Sequence, residues 1–318
     1  MDSTPADPTP EGPRHEFQTP LFRALVAGQT HKARHMLESV EASFAKALLD
    51  SADDTALMTA FMVAASTYGS LAASCSPCDV AFAPASLGRH TPLAPSLCAH
   101  LGQLVLRMLH SLRPQQASMW MRIPGHARWL PLFTAAACFG HVDLMRFILG
   151  HLPHIHADPV DDKKRAIHYA CLRGQVEAIK LLAEHDPSCL TWHASSRLLP
   201  IHFAAQDPSG MALPVVMELA PHTLRAISPN FGSALSCAAA VGYLDNVRRI
   251  VDAAPELVTS PGDVVPVFDA VRGRNMDVIA FLLDRGPAEQ LSKQYANMSL
   301  LHYAAMHAFL PAVELFLR

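Results

Sequence analysis

The sequence repeats itself with a period close to 34 residues, and this period constrains the fold more than any other feature. From residue 130 onward, equivalent apolar positions are separated by 34, 34, 34, 32 and 34 residues, and a proline stands 20 residues after each of the first five. A fixed period of this length is typical of a stack of small structural units. The apolar positions are Phe133, Ile167, Ile201, Leu235, Val267 and Leu301, and the prolines are Pro153, Pro187, Pro221, Pro255 and Pro287.

Each unit carries the pattern of two short helices. In residues 166–182, small residues follow Ile167, Gly174 interrupts the run, and apolar residues at helical spacing resume at Val176. Glycine adopts turn conformations at low cost, so Gly174 lets the second helix fold back on the first. The proline after the second helix ends it, because proline has no backbone donor. No unit can bury its apolar face alone, so we expect one core that runs along the stack.

The first helices resemble those of the ankyrin-repeat family, whose motif is T-P-L-H-x-A-A-x-x-G-H. The resemblance is strong over residues 130–318 and 19–38, and weaker over residues 50–126. It implies an all-α ankyrin-repeat solenoid of helix-turn-helix units, about eight or nine repeats long, with degenerate repeats near the N-terminus. The matching segments are "TPLFRALVAGQ" from Thr19, "RAIHYACLRGQ" from Arg165, "LPIHFAAQD" from Leu199, "SALSCAAAVGY" from Ser233 and "SLLHYAAMH" from Ser299.

The chain divides into three predicted parts. Residues 1–18 are rich in proline and polar residues, which predicts a disordered tail. Residues 19–126 read as degenerate repeats with an irregular segment that is poor in charge, and residues 127–318 as a regular array. In the Ile201 unit, Asp207, Pro208 and Ser209 replace the turn glycine, and Pro214 predicts an irregular second helix. The segments between units, called fingers, lack the sequence that is usual for the family's hairpins, so we expect loosely formed fingers.

Composition and charge exclude several classes of partner. The 25 Lys and Arg residues are balanced by 28 Asp and Glu, and the net charge is −3. The chain therefore lacks the excess of positive charge that binding to nucleic acid or an anionic membrane requires. Residues 55–78 carry no charge, but their many serine and threonine residues favour buried helices over a membrane span. Seven scattered cysteines favour a reducing compartment, and the N-terminus lacks the pattern of a signal peptide, so a cytoplasmic location is expected.

The recognisable catalytic and metal-binding motifs are missing from the sequence, so we expect neither enzymatic activity nor a cofactor. It has no G-x-S-x-G elbow, no phosphate loop and no H-E-x-x-H helix. Cys75 and Cys78 lack the second tight pair that a zinc site needs. Three histidines near Asp158, at positions 151, 154 and 156, favour a solvated loop over a metal site. A cryptic enzyme or metal site in residues 42–127 stays open as an alternative.

Several histidines have a structural explanation in the resemblance. His168, His202 and His302 occupy the T-P-L-H position, where the family's imidazole braces the backbone of its own repeat and of the neighbouring one. His141 falls in the G-H turn. We therefore expect structural roles for these four side chains.

The resemblance also implies where a partner would bind. Ankyrin-repeat proteins bind protein partners in a concave groove, through finger residues before the T-P-L-H motif and through the two exposed residues before the turn glycine. The mixture of aromatic, Met and Arg side chains found in these slots is typical of protein interfaces. The slots hold Arg128, Phe139, Asp161, Asp162, Lys164, Leu172, Arg173, Ser195, Ser196, Gln206, Asp207, Asn230, Arg272, Tyr295, Met298, Met306 and His307.

We therefore expect a non-enzymatic scaffold that binds a protein partner in the concave groove. The alternative is a substrate-selecting adaptor arm, of the ubiquitin-ligase or effector type, for a module beyond residue 318. The apolar residues of the last helix would be uncapped, so we expect further C-terminal repeats or a docking partner at this end. These apolar residues are Val313, Leu315, Phe316 and Leu317.

Overall fold

The architecture from residue 126 onward is a stack of paired helices. The computed structural model describes residues 30–49, 103–108, 126–160, 162–259, 265–286, 294–295 and 297–317. Each predicted apolar marker lies in the first helix of a pair, and each second helix follows after a short turn. The first helices are α2 (His126–Phe139), α4 (Ala166–Leu172), α6 (Pro200–Ala204), α8 (Ala234–Val241), α10 (Pro266–Arg272) and α12 (Leu300–Met306). The second helices are α3 (Val142–His151), α5 (Val176–His185), α7 (Ala212–Leu219), α9 (Leu244–Ala253), α11 (Met276–Arg285) and α13 (Leu310–Phe316).

The helices form two layers. Each first helix packs on the first helix of the next pair, from α2 through to α12, and each also packs on its own second helix. The first helices form the inner layer, since all seven residues of α4 and seven of the eight residues of α8 are buried. The second helices bury one face only, as α9 does with Asn246, Val247, Ile250 and Val251. One apolar core runs through the stack, as the sequence predicted.

The helix that precedes the array also fits the repeat pattern. The first described helix, α1 (Thr30–Leu49), begins two residues after Gly28, as the second helices α3, α5 and α9 begin two residues after theirs. It runs for 20 residues, twice the length of those helices, and so extends into the segment predicted to be irregular. Residues 103–108 are helical and add Leu104, Val105 and Met108 to the core. The predicted tail and most of residues 42–127 lie outside the described residues, so the repeat number and the domain boundaries stay predictions.

The prolines after the second helices do more than stop them. Pro187, Pro221 and Pro255 each begin a 3₁₀-helix, Pro187–Thr191, Pro221–Arg225 and Pro255–Thr259. Proline fits the first position of a helix, where its missing N–H would have no partner in any case. The chain thus continues as one further helical turn before it leads into the next finger.

The second helix of the third pair corrects a prediction. Pro214 was expected to make it irregular, but α7 is an ordinary α-helix of eight residues. It begins later than its counterparts, so Pro214 falls in its first turn, where the N–H groups have no partner within the helix. The turn between α6 and α7 is longer than the equivalent turns, which accounts for the later start of α7.

Candidate functional site

The fingers between the helix pairs, which the sequence predicted to be loosely formed, contain short hydrogen-bonded turns. In the first described finger, the Val160 N–H donates to the Lys164 carbonyl at 2.8 Å, and in the third, Ser228 and Gly232 exchange two backbone bonds of 2.8 and 2.9 Å. The last described finger is an antiparallel hairpin of β1 (Gln294–Tyr295) and β2 (Met298–Ser299). Neighbouring fingers are also joined, because the Ser195 N–H and hydroxyl both donate to the Asp162 carbonyl at 2.7 Å.

A histidine at the start of α4 connects this helix to the segment that follows its pair. His168 is fully buried; its Nδ1 accepts from the Arg165 N–H at 3.0 Å, so its Nε2 carries the proton and donates to the Trp192 carbonyl at 3.0 Å. Burial lowers the pKa of His168 to about 3, so the ring is neutral at physiological pH. The predicted bracing role is therefore seen at His168.

The equivalent His202 repeats this arrangement in part. Its Nδ1 accepts from the Leu199 N–H at 3.1 Å, and burial lowers its pKa to about 4. Its Nε2 is buried near the Ala226 and Gly232 carbonyls, but outside hydrogen-bond geometry. His302 is exposed, and its ring Nδ1 lies 2.7 Å from the Ser299 hydroxyl.

The loop histidines that could have suggested a metal site are used in other ways. His151 bonds to the Phe147 carbonyl at 2.9 Å, and the buried His156 donates through Nδ1 to the Pro153 carbonyl at 2.8 Å. The Nε2 of His156 lies 3.3 Å from the Asp186 carboxylate. Across the described residues, no group of three or more His, Cys, Asp or Glu side chains could hold a metal ion.

The turns between paired helices are closed by side chains from the next unit. At Gly242, where φ is +86°, the Asn275 side chain lies so close that a β-carbon would overlap it. The Asn275 amide donates to the Ala239 and Ala240 carbonyls at 2.9 and 3.2 Å. A β-carbon at Gly140 would overlap Gln175 in the same way.

The third turn replaces this glycine with a buried carboxylate. Asp207 is 1% exposed, and its oxygens accept from the N–H groups of Ser209, Met211 and Ala212 at 2.9 to 3.0 Å, and from the Ser209 hydroxyl. The carboxylate thereby caps the start of α7. Between this turn and the next lies a polar cleft of about 240 Å³.

Four of the residues predicted to contact a partner are buried instead. Leu172 is 2% exposed, Gln206 5%, Asp207 1% and Lys164 7%. Leu172 belongs to the core, Gln206 donates to the His202 carbonyl at 3.1 Å, and Lys164 lies 3.9 Å from the Asp162 carboxylate. The two positions before each turn glycine are therefore not uniformly open to solvent.

The structure places the other predicted residues at different points along the array. Phe139 is half-buried against the core, Asp162 is exposed at a finger, and Arg173 is half-buried. Arg173 and Asp207 both act on the Tyr243 hydroxyl, whose pKa is raised chiefly by burial. The side chains of Arg128, Asp161 and Ser196 lie outside the described part of the structure.

Five predicted residues come together at the last two described helix pairs. We call Arg272, Tyr295, Met298, Met306 and His307 the C-terminal patch. Tyr295 faces Met298 across the hairpin, and both are half-buried. Met306 is 58% exposed.

Two residues that the sequence analysis did not select hold this patch together. The Tyr303 ring centroid lies 5.7 Å from that of Tyr295 and 4.5 Å from that of His307. Asp269 is buried, and its carboxylate accepts from Arg272 Nη2 at 2.6 Å. The spacing of an acid and a base three residues apart in one helix could have indicated this pair.

A family model described as "Ankyrin repeats (3 copies)" matches the chain over residues 97–193 and again over residues 132–222. No curated protein matches the sequence. The described residues contain no helix that is long and apolar enough to cross a membrane.

The solved structures that resemble the chain share little sequence with it. A chain from the complex of the Bd0816 predatory endopeptidase from Bdellovibrio bacteriovorus with immunity protein Bd3460 is 13% identical, with a TM-score of 0.48, covering 58% of this chain and 95% of that one. The ankyrin repeat domain of Bcl-3, a member of the IkappaB protein family, is 18% identical, with a TM-score of 0.46 and coverage of 58% and 84%. The human ASB11 ankyrin repeat domain is 19% identical, with a TM-score of 0.36 and coverage of 58% and 96%.

The matched residues, the helix pairs and their period agree with one another: from residue 126 onward the described fold is an ankyrin-repeat solenoid of helix-turn-helix units.

Proposed function

We propose that this chain is a non-enzymatic scaffold that binds a protein partner along its inner layer and fingers. The observation that carries the proposal is the continuity of that layer. Six first helices pack in succession from residue 126 to residue 306, and the described fingers lie at the start of these helices. An array of this kind presents an extended, rigid face, so a partner can contact several units without the scaffold changing shape.

The exposed residues of this face support the same function. The C-terminal patch combines Tyr, Met and Arg side chains, the types that are enriched at protein interfaces. The four predicted residues that are buried are excluded from the proposed contact surface. This surface comprises Phe139, Asp162, Arg173 and the C-terminal patch. The ankyrin-repeat fold is typically non-enzymatic. The adaptor and cryptic-site alternatives draw on residues outside the described part of the chain and add nothing to this proposal.

Site-specific photocrosslinking in cell extract tests the proposal on the full chain. A photoreactive amino acid is placed at His193, Gln294 or Met306, which are exposed on fingers or the last inner helix. Matched controls carry it at Glu184 and Asp252, which are exposed on the second helices. We expect a defined protein adduct from the first three positions and none from the controls.

The opposite pattern contradicts the proposal. Adducts from Glu184 and Asp252 alone would place binding on the outer layer. No adduct from any position, with circular dichroism showing folded protein, would mean that the array does not act as a protein-binding scaffold in that extract.

A further inference from the structure

We propose that the C-terminal patch binds an acidic segment of a protein partner, one that presents a carboxylate beside an apolar side chain. This inference rests on the proposed function and specifies the chemistry of its partner. It depends on three features of the last two described helix pairs: their charge, the side chains that are held in place before binding, and the apolar side chains that are exposed.

The charge of the patch is positive on its outer side. Across the described residues of α10, the β1–β2 hairpin and α12, Asp269 is the only acidic residue. It is buried beneath Arg272, with which it forms an ion pair, and its side chain is only 10% exposed. The charged groups that act on the His307 ring are Arg272 and Arg274, and both are cations.

The outer layer, formed by the second helices, tends towards negative charge. The second helices α3, α5, α9 and α11 each carry an acidic residue in the first turn, and the chain as a whole has a net charge of −3. An acidic segment is therefore drawn to the patch and repelled by the starts of these second helices.

The patch is also held in place before a partner arrives. The 2.6 Å bond to Asp269 fixes Arg272, whose guanidinium has five donors and whose side chain remains 29% exposed. Arg274 donates to the His307 and Ala308 carbonyls at 2.7 and 3.0 Å, which ties the end of α10 to the end of α12. Groups that are already ordered lose less entropy when they bind.

The exposed apolar side chains explain why the carboxylate should have an apolar neighbour. Met306 is three residues after Tyr303 and shares its side of α12, and Met298 lies across the hairpin from Tyr295. Methionine adapts to irregular apolar surfaces, and arginine pairs well with carboxylates. Together they match a short segment with both kinds of side chain.

Peptide selection on the full chain provides the first test. A displayed library of random peptides is selected on immobilised protein, and the enriched sequences are counted. We expect an excess of Asp and Glu next to apolar residues. A selected peptide is then compared with its amide counterpart, in which Asp and Glu become Asn and Gln. The amide form should bind about tenfold more weakly, and the parent peptide should weaken as salt is raised.

Variants then locate the binding site. Met306→Glu should weaken the acidic peptide by about tenfold, whereas Met306→Lys should bind within about threefold of the parent or more tightly. Met211→Glu is the matched control, because Met211 is also 58% exposed but lies at the start of α7. Arg272→Gln should also weaken binding, with circular dichroism as the check that it remains folded.

Several results would overturn the inference. These are enrichment of neutral or basic peptides, equal losses in Met306→Glu and Met211→Glu, and a dimer of this chain that Met306→Glu dissociates while no peptide is selected. Photocrosslinks at His193 without any effect at Met306 would overturn this inference and leave the proposed function intact. The absence of crosslinks at every finger position would remove the proposed function itself.

Discussion

Acid should destabilise the array through its buried neutral histidines. The ordinary pKa of 6.5 falls to about 3 at His168 and about 4 at His202 in the folded state. Between pH 6 and pH 4.5 the unfolded chain therefore binds one more proton at each ring than the folded chain does. Each extra proton lowers the free energy of unfolding by about 1.4 kcal/mol per pH unit as the pH falls.

A buried carboxylate acts in the opposite direction. Burial raises the pKa of Asp269 from 3.8 to about 6, so over the same range the folded chain holds one more proton there than the unfolded chain. For these three groups, two protons from His168 and His202 less one from Asp269 leave a net difference of about one. The expected loss of stability from pH 6 to pH 4.5 is thus about 2 kcal/mol.

Urea unfolding followed by circular dichroism across this pH range measures the slope. His168→Gln should bring the slope close to zero, and Asp269→Asn should about double it to near 2.8 kcal/mol per pH unit. His222→Gln, at an exposed histidine, is the control and should match the parent. A His168→Gln curve that runs parallel to the parent over this range would refute the assignment of the slope to this ring.

Three further predictions concern the turns and the core. Gly242→Ala should lower the free energy of unfolding by about 2 kcal/mol or more, because φ is +86° and a β-carbon would overlap a neighbouring side chain. The control Gly150→Ala, on an open helical surface, should raise the free energy of unfolding by about 0.5 to 1 kcal/mol. Thermal melts compare the two variants. Asp207→Ala should cost about 3 kcal/mol in urea unfolding, since it leaves the start of α7 without its acceptor, and a loss below about 1 kcal/mol would contradict the capping role. Cys171 and Cys189 should resist alkylation at pH 8 until urea unfolds the chain. Burial raises the pKa of the Cys171 thiol well above its usual value and that of the Cys189 thiol to about 12. Rapid labelling of the native protein, measured by mass spectrometry, would contradict this prediction.

The repeat period predicted the positions of the helices because it records their packing directly. Ile167 and Leu235 recur where each first helix meets its neighbours, so the apolar markers fixed the order of the inner layer. Pro187 was predicted to end a helix and also begins a 3₁₀-turn. Both outcomes follow from the missing N–H, and the sequence alone did not distinguish them.

The details of the candidate site depend on contacts between units, which spacing does not encode. Pro214 gave a wrong prediction because the Asp207 carboxylate lengthens the turn and supplies a new start for α7. Leu172 and Gln206 occupy slots that the resemblance predicted to be exposed, yet here Leu172 packs in the core and Gln206 is buried with its amide on the His202 carbonyl. The sequence did not group the five residues of the C-terminal patch, and Asp269, which orients Arg272, was missed because it stands one helical turn before the slot.

The way the turns are closed gives the array a direction. Gly140 is covered by Gln175 and Gly242 by Asn275, so each of these turns is completed by a side chain from the unit that follows it in the chain. A ribosome releases the N-terminal member of each pair first. During translation, the turn at Gly140 therefore stays open until about 35 further residues have emerged, and assembly of the stack trails synthesis by one repeat. A pause in translation just after a second helix would expose an unfinished turn, and a pause after the next first helix and turn would not.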